Sequence, residues 1–159
     1  MSATTQNDAA QQATSEPGRV WTGGCLCGAV RYTITEQPSA ISFCHCGQCR
    51  RLHSHVGAYT TFPRTAIRIT GDESLGWFAS SERARRGFCT RCGTALFWDP
   101  IGQSRFDATA GSLDEPTGLT ADRHIWVDFQ GDYYHIGDDG LPRLRSTDAA
   151  NASGVPVDG

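Results

Sequence analysis

Apolar and polar residues alternate early in the central part of the chain. Val30, Tyr32 and Ile34 fall on one face, and Arg31, Thr33 and Thr35 on the other. A period of two marks a half-buried strand. Ala66-Ile67-Arg68-Ile69-Thr70 sets β-branched residues ahead of a Gly71-Asp72 turn. Further strands are predicted over 58–62, 75–79, 95–98, 105–110 and 124–129, with Gly, Pro and Asp interrupting the chain between them. No long stretch carries the 3.6-residue apolar period of a helix. A short helix fits only after Cys49 or around 116–121. The pattern predicts a mainly β protein with one or two sheets. Residues 1–18 and 146–159 are polar and predicted to be flexible tails around one domain at 19–145. Asn151-Ala152-Ser153 in the second tail matches a glycosylation acceptor, without consequence for a cytoplasmic chain.

Composition adds a constraint on stability. The chain has 159 residues, 38% of them hydrophobic and 9% aromatic, with 18 glycines. That describes a turn-rich fold with a modest core, the kind that needs a covalent or metal staple. A net charge of -3 argues against nucleic acid as a partner, because phosphate binding needs a basic surface. All 14 basic residues are arginine. A lysine Schiff base is therefore excluded, and anion contacts fall to Arg, His or backbone amides. Residues 1–18 have neither a cationic start nor an apolar run, and no apolar stretch is long enough to span a membrane. The expected location is the cytoplasm, where thiols stay reduced and spaced cysteines read as metal ligands.

Seven cysteines fall in three groups: Cys25-Leu26-Cys27, Cys44-His45-Cys46-Gly47-Gln48-Cys49, and Cys89-Thr90-Arg91-Cys92. The first and last are each followed by glycine, which lets the backbone turn its amides toward sulfur. The middle group can hold one ion alone. Cys25, Cys27, Cys89 and Cys92 then make a closed four-sulfur site, the usual structural zinc arrangement. This partition uses all seven cysteines and predicts two Zn²⁺ per chain. The bland alternative is that the middle cysteines are reduced, buried and inert.

The middle site is the functional candidate, because three protein ligands and a vacancy is the pattern of a catalytic zinc. In an extended segment Cys44 and Cys46 face one way and His45 the other. His53, His55, water or a substrate thiol remain open as its fourth ligand. Zn²⁺ with three thiolates carries a formal charge of -1, which weakens it as a Lewis acid and favours a thiol ligand over hydrolytic chemistry. Arg50 and Arg51 follow the last ligand and are candidates to grip a substrate carboxylate. Arg83-Ala84-Arg85-Arg86 reads as a solvated strand, and His124 as a structural histidine. Trp21, Trp77, Trp98 and Trp126 read as packing residues. Asp128 and His135 are weaker candidates for supporting the site.

At these residues the chain resembles the glutathione-dependent formaldehyde-activating enzymes, also called the CENP-V/GFA domain family. The likeness runs from about Gly23 to Pro142. It is carried by Gly23-Gly24-Cys25-Leu26-Cys27-Gly28, Cys44-His45-Cys46-Gly47-Gln48-Cys49-Arg50-Arg51 and Phe88-Cys89-Thr90-Arg91-Cys92-Gly93, with weaker matches at 110–114, 124–127 and 140–142. The resemblance implies an all-β, Mss4-like zinc-stabilised fold with two small antiparallel sheets. It also implies a structural zinc on Cys25, Cys27, Cys89 and Cys92, and a second zinc on Cys44, Cys46 and Cys49, where glutathione acts. The implied reaction joins glutathione and formaldehyde, formally a carbon–sulfur lyase run backwards. Leu52-His53-Ser54-His55-Val56-Gly57 departs from the small-residue run usual in the family. The rival expectation is a zinc-stabilised thiol-binding or protein-interaction module without catalysis.

Overall fold

A computed structural model describes residues 18–148. The predicted tails at 1–18 and 146–159, with the Asn151 acceptor sequence, lie outside the described residues except for Gly18 and 146–148. Ser146 is buried, and both its N–H and its hydroxyl donate to Asp128, at 2.8 and 2.7 Å.

Period-two alternation produces the strands it predicts. β1 (Trp21–Gly24), β2 (Arg31–Ile34) and β5 (Ile67–Thr70) form a three-stranded antiparallel sheet in the order β1-β2-β5. Val30, Tyr32 and Ile34 are almost fully buried. The second sheet takes β3 (Ile41–Cys44), β4 (Gly57–Pro63), β6 (Leu75–Ala79), β7 (Ala84–Cys89), β8 (Ala95–Pro100), β9 (Arg105–Thr109), β10 (Ala121–Ile125) and β11 (Arg143–Leu144). Its order is β11-β10-β3-β4-β9-β8-β7-β6.

The expectation of two sheets holds, but the second is neither small nor wholly antiparallel. It has eight strands, and β10 runs parallel to both β3 and β11. The strand predicted at 124–129 starts earlier and stops at Ile125. Trp126 adopts a left-handed backbone (φ 59°), and a single 3₁₀ turn follows at 127–129. The short helix is α1 (Gly47–His53), which contains Cys49 instead of following it. Residues 116–120 are irregular.

The core lies between the sheets. Trp21, Val30, Tyr32 and Ile34 from the small-sheet region pack with Phe62, Leu96, Phe97, Phe106 and Ala108 from the large sheet. Burial of each large side chain contributes on the order of 1.5–3 kcal/mol. On β9 the alternation is sharp: Phe106 and Ala108 face this core, so Arg105 and Asp107 face the other way. That other face of the large sheet carries the candidate site.

Candidate metal centres and the adjoining cavity

The four-sulfur group joins the two sheets. Cys25 and Cys27 follow β1, Cys89 ends β7, and Cys92 lies in the turn beyond it. The four sulfurs lie within 4.8 Å of one another. Cys25 Sγ is 3.5 Å from Cys27 Sγ, which is 3.8 Å from Cys89 Sγ. A tetrahedral ion with bonds of ~2.3 Å to sulfur sets its ligands ~3.8 Å apart. Both turns pass through a left-handed glycine, Gly28 and Gly93, each with φ of 76°. Their N–H groups bond back to the Cys25 and Cys89 carbonyls at 3.0 and 2.8 Å. The Val30 N–H donates to Cys25 Sγ at 3.2 Å, a contact that favours thiolate. Cys25 and Cys89 are buried in the core cluster.

The three-sulfur group is built differently. Cys44 ends β3, Cys46 is the N-cap of α1, and Cys49 lies in the helix's first turn. Their sulfurs also lie within 4.8 Å of one another. The Cys49 N–H donates to Cys46 Sγ at 3.4 Å. A Cβ added to Gly57, at the start of β4, would stand 3.0 Å from Cys49 Sγ and 2.8 Å from the Tyr59 ring, so the strand approaches this closely only as glycine. Hydrogen bonds from the Cys44 and Cys49 thiols pull Cys46 down to about 2, while Cys44 is pushed well above its usual value, first by its bond with Cys46. Crowded sulfurs share one negative charge, and a dication removes that restriction. Both donor sets, all cysteine and close-packed, suit zinc.

His45 points away, as the extended geometry predicts. Its Nδ1 meets the Tyr134 hydroxyl at 2.6 Å and its Nε2 meets His124 Nδ1 at 2.9 Å. His124 Nε2 in turn contacts Asp139 at 2.9 Å. Both ring nitrogens of His45 and of His124 are thus engaged. His53 and His55 do not reach the sulfurs either. His53 Nε2 bonds the Tyr59 hydroxyl at 2.8 Å, and the His55 ring packs edge-on against Tyr134, centroids 4.3 Å apart. Among the described residues, no His, Asp or Glu joins the three sulfurs within 4.8 Å.

All three cysteines line a cavity of about 340 Å³ on the far face of the large sheet. Arg83, Arg86, Arg105 and Arg123 also line it, against a single carboxylate among the described residues, Asp107. Arg50 and Arg51, the arginines predicted for substrate, lie on α1 and do not line it. The 83–86 run does not form the solvated strand expected of it. Arg86 is 8% exposed. Its Nη1 donates to the Tyr59 hydroxyl and its Nη2 to Gln48 Oε1, both at 3.0 Å. Arginine can only donate, so Tyr59 keeps its own proton for His53. Burial and the Arg86 charge lower the His53 pKa, which leaves a neutral imidazole to accept it. Arg85 faces the opposite side, pairing with Asp99 at 2.7 Å and lying 4.1 Å from the Trp77 ring centre.

Of the tryptophans, Trp21 and Trp77 serve the core. Trp98 and Trp126 instead wall the cavity and pack against the Cys44, Cys49 and Tyr59 cluster. Asp128 is engaged by Ser146, and His135 is exposed. Arg86, Tyr59, Gln48 and Asp107 carried no cysteine-like spacing signal. The available sign was polar alternation on β7 and β9, which reads as a solvent face until the fold shows it to be concave.

A family model described as glutathione-dependent formaldehyde-activating enzyme matches residues 20–129. The chain belongs to this family. An uncharacterized lyase of Schizosaccharomyces pombe is 31% identical over 115 residues, covering 70% of this chain and 82% of that protein. A Halomonas elongata protein named as a candidate glutathione-dependent formaldehyde-activating enzyme is 26% identical, covering 72% and 79%. A solved Rhodobacter sphaeroides structure shares the fold at a TM-score of 0.52 and 18% identity, covering 77% of this chain and 98% of that one. No helix among the described residues is long and apolar enough to cross a membrane.

Proposed function

We propose that this protein is a zinc-dependent carbon–sulfur lyase that works in the synthetic direction, joining glutathione to formaldehyde or another small aldehyde. One observation carries the reading: in a member of this family, a three-sulfur group open to a fourth ligand lies in the wall of an arginine-lined cavity. The Cys25, Cys27, Cys89 and Cys92 site is structural. Zinc on Cys44, Cys46 and Cys49 would favour the thiolate form of an incoming thiol.

The chain's own residues do the rest. Arg86 is held rigidly by Tyr59 and Gln48 and presents a buried positive charge to the anionic ligand. Arg105 and Arg123 extend that charge along the cavity. Trp98 and Trp126 restrict water around the sulfurs. In the net reaction a carbon–sulfur bond forms, the carbonyl π bond opens, and the thiol proton ends on the carbonyl oxygen.

Exchange spectroscopy of the glutathione–formaldehyde equilibrium, with and without zinc-loaded protein, tests the reading. Accelerated exchange is expected. A rate equal to background in protein with two zinc ions per chain would rule it out.

A further inference from the structure

Asp107 is the cavity's single carboxylate and its most costly feature. It is 8% exposed, and its Oδ1 has no hydrogen-bond partner. Arg86, also 8% exposed, has an unpartnered Nε in the same cavity wall. Leaving a buried acceptor and a buried donor unpaired is unfavourable, the more so for charged groups. The registers relate the two. Asp107 on β9 lies opposite Thr61 on β4 and Trp98 on β8, and Trp98 lies opposite Arg86 on β7. The four form one row across the sheet, on the cavity face.

The Cα positions of Asp107 and Arg86 are two strand spacings apart, roughly 10 Å of sheet, and the Arg86 guanidinium reaches back over the sheet to Tyr59 on β4. The two groups do not satisfy each other. Together they ask for a ligand that brings a donor to Asp107 and an acceptor to Arg86. The other charged side chains of the lining are four arginines, against the single negative charge of the sulfur group, so a ligand that is anionic overall with one cationic point fits.

We propose that Asp107 binds the free amino group of the thiol substrate, so that Asp107 and the cavity arginines together select an anionic thiol with an unblocked amine. This rests on the reading that the thiol occupies this cavity. Asp107 acts as a specificity-determining residue: its carboxylate accepts from the ligand's ammonium while Arg86 Nε donates to a carbonyl or carboxylate oxygen. Small thiols without an amine leave Asp107 Oδ1 buried and unpaired, and are disfavoured for that reason.

The test uses binding, not turnover, and a ligand without sulfur. Calorimetric titration of the zinc-loaded protein compares γ-glutamyl-alanyl-glycine with its N-acetyl derivative, in wild type and in Asp107→Asn. Wild type is expected to prefer the free amine by about ten-fold or more, the scale of a hydrogen bond between charged groups. In Asp107→Asn that ratio should fall to about one, with the acetylated ligand affected least. A merely structural role for Asp107 would weaken both ligands and leave the ratio intact. No amine preference in wild type, no binding of either peptide, or an unchanged ratio in the variant would each overturn the assignment. Should Asp107→Asn fail to fold, the wild-type ratio alone still decides whether the cavity reads an amine. The analogue has no thiol, so its binding can succeed where the exchange assay fails, and the reverse.

Discussion

The two cysteine groups set the same atoms in opposite surroundings. The four-sulfur group closes on itself between the end of β1 and the end of β7, with two sulfurs in the core, and ties one sheet to the other. The three-sulfur group lies at the junction of β3 and α1, within one layer, and faces a cavity. Closing contacts 62 residues apart restricts the unfolded chain far more than closing three neighbours does. On the proposed function, sulfur count and position in the fold, not ligand type, separate a staple from a working site.

The strongest way to break this comparison is to remove one sulfur from each group. Cys89→Ser is expected to unfold the domain, because structural zinc contributes ~10–16 kcal/mol and a whole domain is stable by only ~5–15. Circular dichroism and zinc content check it. Cys46→Ser is expected to lose one zinc, keep its β spectrum and lower thiol–aldehyde exchange by roughly 100-fold or more. Equal behaviour of the two variants would erase the distinction.

Next in size is Arg86. Arg86→Gln removes a buried guanidinium that holds Tyr59 and Gln48, and should cost about 2–5 kcal/mol in a urea melt. Glutathione binding should weaken by at least about ten-fold. Arg51→Gln changes an exposed helical residue outside the cavity, and should shift either quantity by less than about two-fold. If Arg51 matters more than Arg86, the cavity is not where the anion sits.

That pair also marks what the sequence made legible. Cysteine spacing alone separated four sulfurs from three, and strand alternation placed β2, β4 to β6, β8 and β9. The direction of His45 followed from an extended backbone. What stayed hidden depends on sheet order. Arg86 and Asp107 are 21 residues apart and meet the same cavity only because β8 lies between β7 and β9. The parallel pairing of β10 with β3, which brings Trp126 to the sulfurs, leaves no local trace for the same reason. Proximity in sequence pointed to Arg50 and Arg51, which lie on α1 outside the cavity lining.

The smallest effect concerns Asp107, and its sign sharpens the comparison. Burial raises its pKa from 3.8 to about 6, against the charge of Arg105 on its own strand, a hydrogen bond from Thr61 on β4 and the charge of Arg86 on β7; Tyr59 on β4 is a further ionisable neighbour. A carboxyl whose pKa is higher in the folded state binds more protons there than when unfolded. Its contribution to stability is therefore fully present below about pH 4 and lost as pH rises through about 6. The whole span is at most about 3 kcal/mol. Acid also strips thiolates of metal, so wild type alone would show a mixture of the two effects. The difference between wild type and Asp107→Asn cancels the metal contribution. Urea melts at pH 7 and pH 5 should show the Asn variant gaining on wild type at the higher pH. Saturating γ-glutamyl-alanyl-glycine should shrink that gain, because a bound ammonium restores the value of the charge. A gain that is the same at both pH values would mean that Asp107 is already paired, and that the cavity contains no free carboxylate to distinguish it from the closed site.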